Sequence, residues 1–261
     1  MPATVLVTAS AGTFPGLVEA LRAIPVGVEE VPLMTFAPPL DWRPVDAAVR
    51  DLGRYAAVAF TSPRSARAFV GRVAVLRGAG TVLGGAGAAT ETWAAGAGTA
   101  QALGDVLGEV RRPDEHEVGK RGAAAALASA LAAALLAASP SGPVLFPCGD
   151  IRRDELPSRL RDDGIAVEEV VCYRSVLAGE SEARRAAQRA QIVLVASPSV
   201  ADLLARACPP GVRPALLAVG PTTAAAARSS GWPPAGVAKR PTTEALVAGV
   251  RALMLARPGD A

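Results

Sequence analysis

Residues 56–66 read Ala-Ala-Val-Ala-Phe-Thr-Ser-Pro-Arg-Ser-Ala, an apolar run followed at once by a Ser-Pro pair. The run up to Phe60 predicts a buried β-strand, and residues 66–70 predict a helix. A serine followed by proline is typical of the first turn of a helix. The stretch therefore predicts a strand, a short turn at Ser62 and a helix, which together form the repeating unit of a parallel α/β sheet.

The same unit recurs along the chain. Further apolar runs that predict strands are residues 4–8, 142–146, 192–196 and 215–219, with helical stretches at 17–23 and 155–162. Continuous apolar runs, as opposed to alternating ones, are typical of strands that are covered on both faces. The sequence therefore predicts an α/β fold with parallel sheets flanked by helices.

An internal repeat divides this pattern in two. Residues 195–201, Val-Ala-Ser-Pro-Ser-Val-Ala, resemble residues 60–66, Phe-Thr-Ser-Pro-Arg-Ser-Ala. Downstream, residues 220–223, Gly-Pro-Thr-Thr, resemble residues 87–90, Gly-Ala-Ala-Thr, at nearly the same offset. We interpret both of these as turns between a strand and an alanine-rich helix. Two matching pairs in the same order predict two similar lobes.

Two extended segments, residues 28–39 and 167–176, lie between the repeats. Their proline and β-branched residues predict strands that leave one lobe for the other. We expect these strands to form a two-stranded β connection. One lobe is then discontinuous and comprises residues 1–35 and 177–261, whereas the other comprises residues 40–168.

The composition narrows the functional class. Twenty-seven basic and 24 acidic residues give a formal net charge of +3, which does not indicate a nucleic-acid partner. Cys148, Cys172 and Cys208 follow no CxxC spacing, so we predict neither disulfides nor a zinc site. The chain start resembles no secretion signal, and residues 122–138 are too few and too rich in alanine for a membrane span. We expect a soluble, cytoplasmic monomer.

Several familiar catalytic motifs are absent from the sequence. No GxxxxGK[ST] loop, GxSxG elbow or HExxH pair occurs, and residues 84–87 lack the rest of a dinucleotide fingerprint. His116 is the single histidine and lies among charged residues, so we interpret it as part of a solvated loop and not as a catalytic base. We expect no metal and no cofactor.

Small polar residues follow the predicted strands. They are Thr8, Ser62, Cys148-Gly149-Asp150, Ser197 and Gly220-Pro221-Thr222-Thr223. Ligands of parallel sheets bind beyond the carboxyl ends of the strands, and the helix N-termini there suit carboxylates or phosphates. Helix capping is the simpler explanation for any one of these residues alone. Capping and binding both remain open, and only the shared location favours binding.

A series of segments in register resembles the uroporphyrinogen-III synthase family. They are residues 5–8, 60–64, 87–90, 145–153, 171–175, 197–199, 218–224 and 241–246. The resemblance implies two α/β lobes joined by a two-stranded ladder, and a cofactor-independent lyase of porphyrin and heme biosynthesis. It implies the substrate hydroxymethylbilane, a linear tetrapyrrole with eight carboxylates. This substrate would be cyclised, with inversion of ring D, to uroporphyrinogen III and water.

The same resemblance assigns roles to individual residues. Tyr173 is the candidate general acid or hydrogen-bond donor that assists loss of the substrate hydroxyl, with a core or hinge aromatic as the alternative. Arg152 is either a charge-assisted contact or a solvated arginine. Many relatives have arginine where this chain has Ala9, so a non-catalytic tetrapyrrole-binding or regulatory module of the same fold is the alternative function. The carboxylate-binding positions carried over are Thr8, Ser62, Thr90, Ser197, Thr222 and Thr223.

Overall fold

Strands and helices alternate along the chain in a computed structural model that describes residues 3–10, 12–78, 90–104, 106–113 and 123–256. The strands are β1 (Ala3–Val7), β2 (Val26–Glu30), β3 (Met34–Ala37), β4 (Ala57–Phe60), β5 (Glu91–Ala94), β6 (Val110–Arg111), β7 (Val144–Gly149), β8 (Val167–Leu177), β9 (Ile192–Val195), β10 (Ala215–Ala218) and β11 (Gly236–Val237). The helices are α1 (Leu17–Arg22), α2 (Arg43–Arg50), α3 (Pro63–Arg77), α4 (Ala97–Leu103), α5 (Ala123–Ala138), α6 (Glu155–Asp162), α7 (Glu180–Gln188), α8 (Pro198–Ala207), α9 (Pro221–Ser229) and α10 (Thr243–Leu255). His116 and residues 84–87 lie outside the described residues.

The chain divides into two compact units. Unit 1 comprises Met1–Thr35 and Val176–Ala261, and unit 2 comprises Phe36–Ser175. The chain passes between the units within β3 and again within β8, which are neighbours in one sheet. Residues 28–30 belong instead to β2, because they pair in parallel with β1. The first part of β8 likewise pairs with β7, so the connection is shorter than the two segments that the sequence suggested.

Parallel sheets form the centre of the fold, as predicted. In the described part of the chain the strand order is β11-β10-β9-β1-β2 in one sheet and β3-β8-β7-β4-β5-β6 in the other. Strand β1 lies between β2 and β9 and pairs in parallel with both. The beginning and the end of the chain therefore share the sheet of unit 1.

The two sheets are related by a circular permutation. The order β8-β7-β4-β5-β6 corresponds position for position to β2-β1-β9-β10-β11. In unit 2 the piece β7-α6-β8 comes last along the chain, whereas its equivalent β1-α1-β2 comes first in the whole sequence. The permutation explains why unit 1 is discontinuous. It also confirms the prediction of two similar lobes.

Alternate residues of each strand are buried on opposite faces of its sheet. Val58 and Phe60 of β4 pack in one apolar cluster, and Ala57 and Ala59 pack in another. The strands of unit 1 are divided in the same way between two clusters. Burial on both faces explains the continuous apolar runs in the sequence.

Helix α5 covers most of the uncharged stretch at residues 122–138. Its Leu131 and Leu135 side chains are fully buried in an apolar cluster with β4 and β7. The stretch is therefore a helix packed on a sheet. Of the helices in the described ranges, none combines the length and the apolarity needed to cross a bilayer.

Candidate functional site

A pocket of about 190 Å³ opens in unit 2 at the carboxyl ends of β4 and β7. Residues that directly follow these strands contribute to its wall, together with one side chain from β8. Its lining includes Ser62, Cys148, Gly149, Arg152 and Tyr173. The pocket thus brings together three of the predicted site residues, Ser62, Arg152 and Tyr173, where ligands of parallel sheets usually bind.

A β-bulge places Tyr173 beside the end of β7. Cys148 pairs with Val171, but the next residue, Gly149, pairs with Tyr173. Cys172 is therefore an extra residue on β8. Bulges are frequent next to active sites, where they redirect a side chain.

Asp150 holds the backbone at this tyrosine and just after it. Its N–H donates to the Tyr173 carbonyl oxygen over 3.1 Å. Its Oδ1 accepts hydrogen bonds from the Ser175 and Ile151 amides, each over 2.8 Å. Asp150, which the sequence placed after a strand, therefore ties the end of β7 to β8 through its backbone amide at Tyr173 and its carboxylate at Ser175.

Gly149 leaves the space that the phenol ring occupies. A Cβ atom at this position would lie 2.6 Å from Cζ, 2.7 Å from Cε2 and 2.8 Å from the hydroxyl oxygen of Tyr173. Real Cβ contacts are essentially never this short. Any other residue at 149 must displace the ring, so Gly149 is a positioning residue for Tyr173. A glycine directly after an apolar strand was the only signal for this role in the sequence.

The surroundings of Tyr173 shift the pKa of its phenol in two opposing directions. Burial raises the pKa of the phenol above its ordinary value, whereas hydrogen bonding to Ser62 and the charge of Arg64 lower that pKa. The net shift is upward, so the phenol is protonated at neutral pH. Tyr173 is therefore a hydrogen-bond donor whose anion has two stabilising neighbours.

Ser62 combines the two roles that the sequence left open. Its Oγ accepts the Ser65 amide over 3.1 Å and so caps the N-terminus of α3. The Ser65 hydroxyl donates to the Ser62 carbonyl oxygen over 3.0 Å. The two hydroxyl oxygens also lie 3.0 Å apart. Because capping uses only the acceptor side of the Ser62 hydroxyl, its hydrogen can bond either to Ser65 Oγ or to a group in the pocket.

Arg64 belongs to the family-like segment at residues 60–64 but was not among the predicted site residues. Its guanidinium carbon lies 3.3 Å from the centroid of the Phe36 ring and 5.8 Å from that of Tyr173. The two rings pack edge to face with centroids 5.7 Å apart. Among the described residues Arg64 has no carboxylate partner. The aromatic pair thus positions a charge that can attract an anion.

Arg152 lines the pocket, but its guanidinium already has a partner. Its Nε donates to Glu169, and Arg161 Nη2 lies 2.6 Å from the other oxygen of the same carboxylate. The hydrogen bond from Arg152, and then that from Arg161, hold the pKa of Glu169 below its ordinary value. Arg152 is therefore not a freely solvated arginine.

Removing the charge of Glu169 tests this network. Because its pKa is lowered in the folded state, the Glu169 carboxylate stabilises the fold at pH values above its unfolded-state pKa. This stabilisation is lost as the pH falls through the folded-state pKa of Glu169. We expect Glu169→Gln to lower the free energy of unfolding at pH 7 by about 1–2 kcal/mol. At about pH 3 the difference from the wild type should shrink. Urea unfolding at both pH values measures this, with the exposed Glu182→Gln as control. An equal loss at both pH values would contradict the role of the charge.

Thr8 is buried and does not line the pocket. Only 2% of its surface is exposed, and its hydroxyl donates to the Leu194 carbonyl oxygen over 2.8 Å. This bond joins the end of β1 to β9. The structure therefore gives Thr8 a structural role in place of the predicted contact with substrate.

Thr90 lies at the amino end of β5. Its hydroxyl lies 3.1 Å from the Leu52 carbonyl oxygen and 2.8 Å from that of Tyr55. Because β4 and β5 are parallel, Thr90 and Ser62 lie at opposite ends of the sheet. The prediction that Thr90 joins Ser62 at a binding site is wrong, because β5 begins after this threonine.

The equivalent of Thr223 in unit 2 is Thr99. Gly96 precedes α4 with φ −165° and ψ 172°, and Gly220 precedes α9 with φ −167° and ψ 176°. Thr99 and Thr223 each follow three residues later, and each is only 4% exposed. The Gly-x-x-Thr repeat is thus real but lies at residues 96–99. The residues before Thr90 in the predicted version are outside the described ranges.

In unit 1 the hydroxyls of two predicted site residues, Ser197 and Thr222, are available to bind a ligand. Ser197 precedes α8 without a side-chain capping bond, and Thr222 is exposed in the first turn of α9. Neither hydroxyl has a hydrogen-bond partner in the described part of the chain. Thr223, in contrast, is buried. Ser197 and Thr222 therefore remain candidate binding positions.

All three cysteines are free thiols, and all are buried. No group of three or more His, Cys, Asp and Glu side chains there is placed to hold a metal ion. Cys148 lines the pocket, but burial raises the pKa of its thiol to about 12. A thiol with this pKa is protonated at neutral pH and is a poor nucleophile.

Comparisons with known proteins point to one family. The family model described as uroporphyrinogen-III synthase HemD matches residues 16–248, which is most of the chain. A crystal structure of a mutant uroporphyrinogen III synthase from Thermus thermophilus is 18% identical, with a TM-score of 0.62 over 97% of this chain and 99% of that one. The uroporphyrinogen-III synthetase from Helicobacter pylori is 19% identical, with a TM-score of 0.59 over 97% of this chain and 100% of that one. At such identities the two structures support the fold alone.

Proposed function

The chain belongs to the uroporphyrinogen-III synthase HemD family, and from this premise we propose that it converts hydroxymethylbilane into uroporphyrinogen III and water. The reaction breaks the C–O bond of the hydroxymethyl group, inverts ring D and closes the macrocycle, so the enzyme is a lyase. The observation that carries the proposal is the placement of Tyr173 in the pocket of unit 2, which Ser62 also lines, with the Arg64 guanidinium carbon 5.8 Å from the centroid of the Tyr173 ring.

Tyr173 serves as the general acid for loss of the hydroxyl. The electron-rich pyrrole next to the hydroxymethyl carbon supplies the electron pair that expels the oxygen. Hydroxide is a poor leaving group, so a proton given by the phenol as the C–O bond breaks lowers the barrier. The raised pKa of Tyr173 keeps this proton in place at neutral pH. Water leaves, and a phenolate remains on the enzyme.

Ser62 and Arg64 then stabilise the phenolate. Both groups lower the pKa of Tyr173, which means that they favour its charged form. Donors that are positioned before the reaction stabilise developing charge at little cost. The hydroxymethyl carbon then bonds to the ring D carbon that carries the bridge to ring C, the bond from that ring carbon to the bridge breaks, and the bridge carbon bonds to the free α-carbon of ring D. This last carbon loses its hydrogen as a proton. That proton returns to Tyr173, so no external acid, base or redox partner is consumed.

Carboxylate binding is the second task of the protein. In unit 2 Arg64, which has no carboxylate partner among the described residues, is the proposed contact, because the single hydrogen of the Ser62 hydroxyl is assigned to the phenolate. Arg152 must first leave Glu169 before it can bind a substrate carboxylate. In unit 1 Ser197 and Thr222 are proposed because their hydroxyls lie at helix N-termini without a partner in the described ranges. Thr8, Thr90 and Thr223 are not among the proposed contacts, because Thr8 and Thr223 are buried and Thr90 lies at the opposite end of the sheet from Ser62.

A coupled assay tests the proposed reaction. Hydroxymethylbilane is generated in place, and after oxidation the type I and type III uroporphyrins are separated by chromatography. We expect mostly type III, because spontaneous closure gives type I without inversion of ring D. Type I alone at every enzyme concentration would reject catalysis and favour the non-catalytic tetrapyrrole-binding module. Direct titration with product would then measure binding.

A further inference from the structure

A broad groove of about 660 Å³ lies in unit 1 between α7, the end of α8 and the loop that follows α8. We call it the arginine groove. Its defining residues are Glu180, Arg184, Arg185, Arg206, Cys208 and Arg213. It shares no lining residue with the pocket around Tyr173. Four guanidinium groups and one carboxylate thus line the same groove.

Arg213 forms a fixed wall of this groove. Its Nε, Nη1 and Nη2 donate to the carbonyl oxygens of Cys208, Gly231 and Ala205 over 2.9, 2.5 and 3.0 Å. Its guanidinium carbon also lies 4.9 Å from the centroid of the Trp232 ring. These contacts use three of the five N–H donors of a guanidinium and immobilise it. The carbonyls carry only partial charges, so the positive charge of Arg213 is not neutralised by them.

One carboxylate already occupies part of the groove. Glu180 Oε1 lies 3.2 Å from Arg206 Nε, and both side chains are more than half exposed, at 59% and 58%. An exposed ion pair of this kind contributes little to stability, and either partner readily exchanges for another ion. Arg206 therefore binds a carboxylate that an incoming anion can replace.

Arg184 and Arg185 provide the unbalanced charge. They are adjacent on α7, both are exposed, and both line the groove. Neither has a carboxylate within ion-pair distance in the described part of the chain. The charges of Arg206 and Glu180 cancel each other, so Arg184, Arg185 and Arg213 give the groove a net charge of +3. Concentrated charge of one sign attracts and binds ligands of the opposite sign.

We propose that the arginine groove binds a small organic polyanion that carries two or more carboxylate or phosphate groups. Guanidinium groups recognise both kinds of oxyanion through paired hydrogen bonds, and several arginines around one groove require several charges on the ligand. The volume is within the range of pockets for small organic ligands and is far larger than a single inorganic ion requires. This site goes beyond the proposed reaction and does not depend on it.

Calorimetric titration at constant ionic strength tests the proposal with two probes, citrate for carboxylates and pyrophosphate for phosphates. We expect saturable binding of at least one probe at one site per chain, and the tighter probe identifies the class of ligand. The double substitution Arg184→Gln/Arg185→Gln should weaken that binding at least tenfold, while Arg251→Gln on α10 should leave it unchanged. If the double variant does not fold, the two single variants replace it.

Glu180→Gln provides a readout that a structural defect would not produce. It removes the carboxylate that competes for Arg206, so binding should become about two- to fivefold tighter. No saturable heat with either probe would overturn the proposal. An unchanged affinity in the arginine variants would overturn it as well.

Discussion

Tyr173→Phe is expected to reduce kcat about 100- to 10,000-fold, the usual contribution of general acid catalysis, while the fold stays intact. The substitution keeps the ring between Gly149 and Phe36 and removes only the hydroxyl that carries the proton. Without that proton the substrate must expel hydroxide unaided. The isomer assay measures the loss, and the remaining product should shift towards type I because spontaneous closure then competes.

Tyr55→Phe is the matched control for this substitution. Tyr55 is the only other tyrosine; it is fully buried in unit 2, and its hydroxyl accepts a hydrogen bond from Arg54 over 2.5 Å. Its loss should lower stability by about 1 kcal/mol without changing kcat. Unchanged turnover in Tyr173→Phe would remove Tyr173 from the mechanism.

The raised pKa of Tyr173 also predicts that its ionisation does not reduce kcat below about pH 10.

Gly149→Ala is expected to lower kcat by about 100-fold, since displacement of a reacting group by about 1 Å has effects of this size. The added methyl group would lie 2.6 Å from Cζ of Tyr173, so the ring has to leave its place beside Ser62. Overpacking should also cost about 1–3 kcal/mol of stability. Circular dichroism and thermal unfolding separate this cost from the loss of turnover.

Gly53→Ala controls for the exchange of glycine itself, because a Cβ at Gly53 meets no atom within 4 Å. Its kcat should equal that of the wild type. If Gly149 acts only through Tyr173, then Gly149→Ala/Tyr173→Phe should have the kcat of Tyr173→Phe alone. A further large decrease in the double variant would show that Gly149 has a second role. Normal turnover in Gly149→Ala would contradict the positioning role.

The sequence by itself determined the parallel α/β class and the presence of two similar units. Apolar runs such as residues 56–60 and 192–196 identify buried strands, because burial on both faces excludes polar residues locally. The Ser-Pro turns at Ser62 and Ser197 mark equivalent helix starts for the same local reason. The motif segments were sufficient to indicate the family and to single out Tyr173. These features depend on residues that are close in the chain.

Only the tertiary structure decided which candidate residues meet. Strand register is set by contacts between distant segments, so the bulge that brings Tyr173 opposite Gly149 is invisible in either strand alone. The bond between Arg152 and Glu169 and the burial of Thr8 depend in the same way on packing between strands. Thr90 was misplaced because a Gly-x-x-Thr pattern does not reveal on which side of a strand it lies. The local sequence pattern determines the strands and helices, whereas long-range strand pairing and packing determine which side chains meet at the pocket.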